Sequence, residues 1–352
     1  MMVNGREPIL VWGAGAIGGT LGAYWARAGV PVLLVDVEAD HVAACRSTGL
    51  EITGPVETFK VVVPAVTPDE LGGSFGRIVL AVKAHATEPA LEQLEPHLAP
   101  DGFVLSAQNG LNEIAIARRI GNTRTMGAFV NYGVDWLGPG RILYGNRGAV
   151  VVGEIDGSTR ERTREMHMLL QMFEPDAVLT DNIWGYLWGK LAYGAMLFAT
   201  ALTNDSMSAN FADPRRMPAW LALGREVLAV AHVRGVTPVG FGEFDPAAFL
   251  PGGPNDRQHA IVNWLAEYTS QTAKTHSGIW RDLAVRERKT EVDAQIGIIS
   301  ALGREAGIAT PAIDTLVGLI HDIEDGRRPQ SCETLKALID SCRSASMDKS
   351  HS

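Results

Sequence analysis

The stretch "PILVWGAGAIGGTLGAYWARAGVPVLLVD", residues 8–36, does most to narrow what this chain folds into. A short apolar run leads directly into Gly13-Ala14-Gly15-Ala16-Ile17-Gly18, then into a segment of helical length, then into a second apolar run that ends at Asp36. Strand, glycine turn, helix and strand in that order form a βαβ unit, which gives the GxGxxG pattern the context it needs to mean anything. Glycines let the backbone turn tightly and approach a pyrophosphate, whose charge then rests on the helix N-terminus. The positions expected to hold a dinucleotide are therefore Gly13, Gly15, Ala16, Ile17 and Gly18; a purely structural glycine turn is the competing reading. Asp36 stands where an acid accepts hydrogen bonds from the adenosine ribose hydroxyls. The same carboxylate repels a 2′-phosphate, so the expected cofactor is NAD rather than NADP. Asp36 has one rival use, capping the helix that follows.

Short β-branched runs alternate with helical stretches from Pro8 to about Thr180, the pattern of an α/β domain. Strands are predicted at 8–13, 31–36, 77–83, 102–108, 149–154 and 177–180, and residues 51–66 read as a hairpin turning at Gly54-Pro55. Beyond Ile183 strand signals nearly vanish, and helices are predicted at 183–203, 217–234, 256–275, 290–306 and 311–324. The expectation is a dinucleotide-binding Rossmann-type α/β domain over residues 1–182 and an all-α substrate or dimerisation domain over 183–340. The tail 341–352, ending "SASMDKSHS", has the composition of a disordered segment.

With 352 residues, 46% of them hydrophobic, the chain can bury cores for two domains. A net charge of −9 leaves no basic surplus for a nucleic acid or an anionic membrane. The three cysteines, Cys45, Cys332 and Cys342, form no CxxC pair and read as reduced thiols. No signal-peptide pattern is visible at the N-terminus, so a cytoplasmic protein is expected. None of the nine histidines falls in a metal-ligand spacing, and no metal is expected; His276 alone lies beside a segment of functional interest. "GSTRERTREMHM", residues 157–168, reads as a solvated helix face. Trp184, Trp188 and Tyr193 read as core, and the Gly-, Pro- and Phe-rich loop 236–256 as either a lid or a connector.

Residues 182–202, "NIWGYLWGKLAYGAMLFATAL", are apolar over the length of a membrane span, yet Lys190 lies near their middle. A charge there costs roughly 2.5 kcal/mol or more on insertion scales, and basic flanks are missing, so a span is rejected. Two readings remain: a structural salt bridge, or a catalytic lysine in a buried cleft. An ammonium group in a dry site stabilises the alkoxide left by hydride delivery to a ketone and supplies its proton. Burial lowers a lysine pKa toward neutrality, and a carboxylate such as Glu291 would oppose that fall.

Taken together, "GAGAIGG", "AVKAHA" with Lys83, "AQNGLNE" with Asn109, "LWGKLA" with Lys190 and "RKTEVDAQIG" with Glu291 resemble the ketopantoate reductase (2-dehydropantoate 2-reductase) family over about residues 8–325. The resemblance implies a second domain like the C-terminal domain of 6-phosphogluconate dehydrogenase. It also implies an oxidoreductase that moves a hydride between a nicotinamide cofactor and the ketone of a small oxo acid. By resemblance Lys190 is the proton donor, Asn109 touches cofactor and substrate, Gly133 lies along the cofactor, Lys83 faces it, and Glu291 reaches the nicotinamide ribose.

The departures bear on substrate. Family members carry asparagines one and two helical turns after the lysine, where this chain has Gly194 and Phe198. A serine that contacts the substrate carboxylate aligns with Gly278 or Ser277, and one extra residue lies between Asp282 and Glu291. Family members mostly prefer NADPH, with an arginine where this chain has Asp36-Val37, which keeps NADP as the alternative cofactor. Loss of two amide donors, with Met196, Phe198 and Trp280 as an apolar wall, would disfavour ketopantoate; Asn204 or Ser277 are candidate replacement donors. A β-hydroxyacid dehydrogenase of another substrate class and a non-catalytic NAD sensor are the rivals. Apolar helix surface is compatible with a homodimer.

Overall fold

The computed structural model describes residues 7–272 and 274–348. They divide into two compact units, Met1–Ile183 and Trp184–Ser352. The first opens with β1 (Ile9–Trp12), α1 (Ala16–Arg27), β2 (Val32–Val35) and α2 (Ala39–Ser47), followed by β3 (Leu50–Thr53), β4 (Phe59–Val61) and β5 (Ala65–Val66). Next come β6 (Phe75–Leu80), α3 (Thr87–Leu94), β7 (Leu98–Ser106), α4 (Asn112–Ile120) and β8 (Thr125–Val130). The unit closes with β9 (Gly133–Gly138), β10 (Arg141–Asn146), β11 (Val150–Glu154), α5 (Glu161–Gln171) and β12 (Val178–Leu179).

Eight strands form one sheet in the order β12-β11-β8-β7-β6-β1-β2-β5, in which β11 runs antiparallel to β8 while β5, β2, β1, β6, β7 and β8 are mutually parallel. Both faces of this sheet are covered, and β1 shows how: Ile9 and Val11 enter one apolar core, Leu10 and Trp12 the other. A strand buried on both sides has no polar alternation, which is why these segments read as continuous apolar runs. The hairpin expected at 51–66 is present as antiparallel β3 and β4, with Gly54 at φ +124°. It belongs to a second sheet, β4-β3-β10-β9, and the residues after it supply β5 to the main sheet.

Three strands, β8, β9 and β10, lie where none is predicted. Their sequence carries six glycines between residues 127 and 148, which masks the two-residue period. The charge run at 157–168 is also more than a solvated face. Arg162 donates to both oxygens of Glu154, at 2.9 and 2.6 Å, and Thr163 donates to the same carboxylate, which is 1% exposed.

The second unit is helical: α6 (Ile183–Thr200), α7 (Met207–Ala212), α8 (Met217–Val233), α9 (Asn255–Ser270) and α10 (Gly278–Ala284), then α11 (Ile298–Glu305), α12 (Pro311–Glu324) and α13 (Cys332–Asp348). The helix predicted over 290–306 is interrupted by a π-helical turn at Asp293–Gly297. The tail expected from 341 is instead helical to Asp348; residues 349–352 lie outside the described residues. No described helix is long and apolar enough to cross a membrane. Loop 236–256 is fastened to α6: Val239 N–H donates to Gly185 O at 2.9 Å, and a Cβ on Gly189 would overlap the Val239 carbonyl. Tyr193 packs its ring against Phe241 and Phe244, at 5.5 and 5.8 Å between centroids.

Candidate active site

In the first unit, chain order brings the glycine loop (after β1), Asp36 (after β2), Lys83 (after β6) and Asn109 (after β7) to the carboxyl ends of neighbouring parallel strands. Strand order reverses between β1 and β6, and ligands of open α/β sheets bind at such a switch point. Gly13 has φ +94°, and a Cβ there would come within 2.8 Å of Val82 N, so no other residue fits. A Cβ on Gly18 would overlap the Gly13 carbonyl and lie 2.9 Å from Val11 Cγ1, which lets α1 press onto β1. At Gly15, by contrast, a Cβ would meet nothing within 4 Å. That space, together with a first turn of α1 that carries no acid and no side-chain cap, leaves the amides of Gly15, Ala16 and Ile17 for an anionic group. The residues present therefore fit a dinucleotide pyrophosphate.

The half-buried Asp36 does two jobs. Its Oδ2 accepts from Ala14 N–H at 2.7 Å and its Oδ1 from Glu38 N–H at 3.0 Å, so it steadies both the glycine loop and the turn into α2. Each oxygen keeps a second lone pair for a ribose hydroxyl. Lys83 ends the turn after β6. A hydrogen-bond chain not foreseen from the sequence joins that turn to Asn109: Gln108 Nε2 donates to Val82 O at 2.9 Å and to Thr87 Oγ1 at 2.8 Å. Thr87 donates to Asn112 Oδ1, and Asn112 Nδ2 donates to Asn109 O, each at 2.8 Å. Asn109 itself is exposed, ahead of Gly110 at φ +103°. Gly133 opens β9, three residues past the carboxyl end of β8, and a Cβ there would overlap Asn146 Oδ1. Nothing in the single sequence distinguished Gln108, Thr87 or Asn112 from ordinary polar residues.

In the second unit Lys190 lies mid-way along α6. Part of its surface is open, yet it sits deep enough that desolvation brings its pKa down to about 8, with the Glu291 carboxylate opposing a further fall. Glu291 is placed by its neighbours. Thr290 N–H and Oγ1 both donate to Glu324 Oε1 at 2.7 Å, Val292 is 1% exposed, and the π-helical turn follows at once. Short π-helical turns are frequent at functional sites. The extra residue before Glu291 falls in a loop where Glu287 is held at φ +46°, the left-handed region, while Arg288 N–H donates to Asp282 O.

Some expected wall residues are elsewhere. Phe198 is 1% exposed and Met196 is fully buried, so both belong to the core of the helical unit and neither forms an open apolar wall. At Gly194 a Cβ would meet nothing within 4 Å, so the space one turn after Lys190 is open. Trp280 is half-buried, with Nε1–H donating to Asn204 Oδ1 at 3.1 Å and its ring 4.1 Å from that of His276. Asn204 Nδ2 donates to Gln330 O, and Ser277 Oγ accepts from Trp280 N–H at the start of α10. Asn204 thus spends its Oδ1 and one of its two amide hydrogens, whereas Ser277 uses its oxygen as an acceptor and retains its hydroxyl hydrogen for donation. His276 is hydrogen-bonded to Thr275 Oγ1 and Asn204 O, and no metal-binding group of side chains occurs among the described residues.

Residues 9–157 match the family described as Ketopantoate reductase PanE/ApbA, and residues 182–324 match Ketopantoate reductase PanE/ApbA C terminal. The chain belongs to the ketopantoate reductase family. A 2-dehydropantoate 2-reductase of Mesorhizobium japonicum is 28% identical, covering 89% of this chain and 96% of its own. One of Archaeoglobus fulgidus is 27% identical, covering 91% and 99%. Among solved structures, a PanE/ApbA family ketopantoate reductase from Ralstonia eutropha JMP134 superposes with a TM-score of 0.75 at 25% identity, covering 91% of this chain and 99% of its own. D-mandelate dehydrogenase, solved with NADH and anilino(oxo)acetate, superposes with a TM-score of 0.78 at 23% identity, covering 91% and 98%. Family membership makes the chain an NAD(P)-dependent oxidoreductase acting on a CH–OH group or the ketone of an oxo acid.

Proposed function

We propose that this ketopantoate reductase family member reduces a 2-oxo acid whose carbonyl bears a bulky apolar or aromatic group, with NADH preferred and Lys190 as the proton donor. The observation that carries the reading is Lys190 itself: an ammonium midway along an apolar helix, whose pKa burial lowers to about 8 against the opposing charge of Glu291. A general acid works best when its pKa lies near the working pH. When bound, the reduced nicotinamide supplies the hydride. Lys190 then neutralises the alkoxide oxygen and gives it a proton, and Glu291 keeps the lysine charged until that moment. Glycine-loop amides hold the pyrophosphate, Asp36 receives the ribose, and Lys83, Asn109 and Gly133 line the cofactor path.

Substrate class follows from what surrounds Lys190. Gly194 offers no amide donor one turn after the lysine and leaves room in its place. Each missing hydrogen bond to a charged carboxylate is worth roughly 1.5–3 kcal/mol, so a hydroxylated substrate such as ketopantoate loses about one to two orders of magnitude per donor. The anilino(oxo)acetate bound by D-mandelate dehydrogenase, a 2-oxo acid derivative with an aromatic group, supports the same class here. The test is direct competition at fixed NADH between ketopantoate, phenylglyoxylate and a branched aliphatic 2-oxo acid. Higher kcat/KM for the aromatic or branched acid is expected. Ketopantoate reduction above about 10⁵ M⁻¹s⁻¹, within the range of ordinary enzymes, would overturn the substrate reading and leave the reaction type standing.

A further inference from the structure

Ala14, the first variable residue of the glycine loop, is held by side chains on both sides. Its N–H donates to Asp36, and its carbonyl accepts from His41 Nε2 at 2.8 Å. His41 comes from α2, is 1% exposed, and has no part in the chemistry described above. Its tautomer is fixed by geometry. Gly140 N–H points at Nδ1 from 3.0 Å, and Trp136 Nε1–H approaches the same nitrogen at 3.4 Å. Both are donors only, so Nδ1 carries no proton; a carbonyl only accepts, so the proton is on Nε2 and the imidazole is neutral. Gly140, at φ +69°, forms the turn between β9 and β10, and a Cβ there would come 2.8 Å from Ala44 Cβ. One side chain thus ties together the glycine loop, α2 and the β9–β10 turn.

The Ala14 carbonyl and the Gly15 N–H belong to one planar trans peptide, so they point in opposite directions. Pinning the carbonyl to His41 aims the Gly15 amide at the open side of the loop. Gly15 has no Cβ to resist rotation of that peptide, and nothing lies within 4 Å of where one would be. We infer that His41 is a positioning residue for the cofactor: as a neutral Nε2–H imidazole it fixes the Ala14–Gly15 peptide so that the loop amides are set for the pyrophosphate before it arrives. This rests on the nicotinamide-cofactor reading of the glycine loop.

Two near-isosteric substitutions separate the two hydrogen bonds. In His41→Gln the side-chain Nε2 can donate to Ala14 O, while the acceptor for Gly140 is lost. In His41→Asn the Oδ1 can accept from Gly140 N–H, while nothing reaches Ala14. Each variant and the wild type are titrated with NADH alone, following nicotinamide fluorescence, with thermal melts to verify folding. His41→Asn should weaken NADH by about five- to tenfold, the upper range for one neutral hydrogen bond. His41→Gln should stay within about twofold of wild type, and kcat at saturating NADH should be unchanged in both. Equal weakening by both variants, or weakening by neither, overturns the inference and leaves His41 a core residue. Should His41→Asn fail to fold, a folded His41→Gln that binds NADH more than tenfold more weakly is sufficient to overturn it. Wild type that binds neither NADH nor NADPH sinks the cofactor reading itself, and this inference with it.

Discussion

At the scale of single residues, two carboxylates set the chemistry proposed for their neighbours. Asp36 holds Ala14 and Glu38, and under the proposed reading its remaining lone pairs would meet the cofactor ribose. A 2′-phosphate brought there meets a like charge, so kcat/KM for NADH should exceed that for NADPH by tenfold or more. Asp36→Ala should narrow the gap chiefly through the KM for NADPH, although it also releases Ala14 and so weakens NADH slightly. A wild-type preference for NADPH would remove Asp36 from this role. Glu291 acts on Lys190, opposing the lowering of its pKa by burial. With Lys190 as the proposed acid, reduction needs the protonated lysine and its rate should fall as pH rises through about 8, while oxidation of the matching hydroxy acid needs the neutral lysine and should rise over the same interval. Glu291→Gln removes the opposing charge, and the alkaline limb of the reductive pH profile should move to lower pH. A limb that stays in place would mean that Lys190 is not the titrating acid.

At the scale of elements, the first turn of α4 contains a group that nothing in its local sequence singles out. Glu113 is fully buried, and its two carboxyl oxygens have no well-formed hydrogen bond among the described residues. Burial pushes its pKa up to about 8 against smaller opposing contributions from the backbone amide and then the Ser106 hydroxyl, so at neutral pH it is an uncharged acid. In the unfolded chain it ionises near pH 4, so between there and about 8 the folded state holds one proton more. Stability from this site is therefore complete below the unfolded pKa and is lost as pH rises, by about 1.4 kcal/mol per unit. Glu113→Gln cannot ionise. Its melting temperature relative to wild type should climb steadily between pH 5 and pH 8, and a difference independent of pH would contradict the burial argument. From the sequence Glu113 was merely the end of "AQNGLNE", because burial depends on what packs over α4. The same limit explains β8, β9 and β10: glycines within and between them, Gly133 and Gly140 among them, answer to neighbouring chain segments that no local window contains.

At the scale of the whole molecule, the division into an α/β unit and a helical unit was legible because it rests on periodicity and on the strand–glycine–helix–strand order, both local properties. The glycine-loop positions, Asp36 and Lys190 could be nominated as candidates for the same reason: each is conspicuous against its own neighbours in the sequence. What the sequence misjudged depended on packing. Phe198 and Met196 looked like a wall beside Lys190 and are core. With the glycine loop and Asp36 in the first unit and Lys190 in the second, cofactor binding and proton donation can be damaged separately. Lys190→Ala should lower kcat by roughly 10² to 10⁴, the usual cost of losing a general acid. The stabilisation conferred by NADH at a hundred times its dissociation constant, about 2.7 kcal/mol, should remain in that variant. Loss of both readouts together would show that Lys190 supports the cofactor rather than the proton transfer. Retention of full kcat in a folded variant would return Lys190 to the role of a structural ion-pair partner of the helical unit.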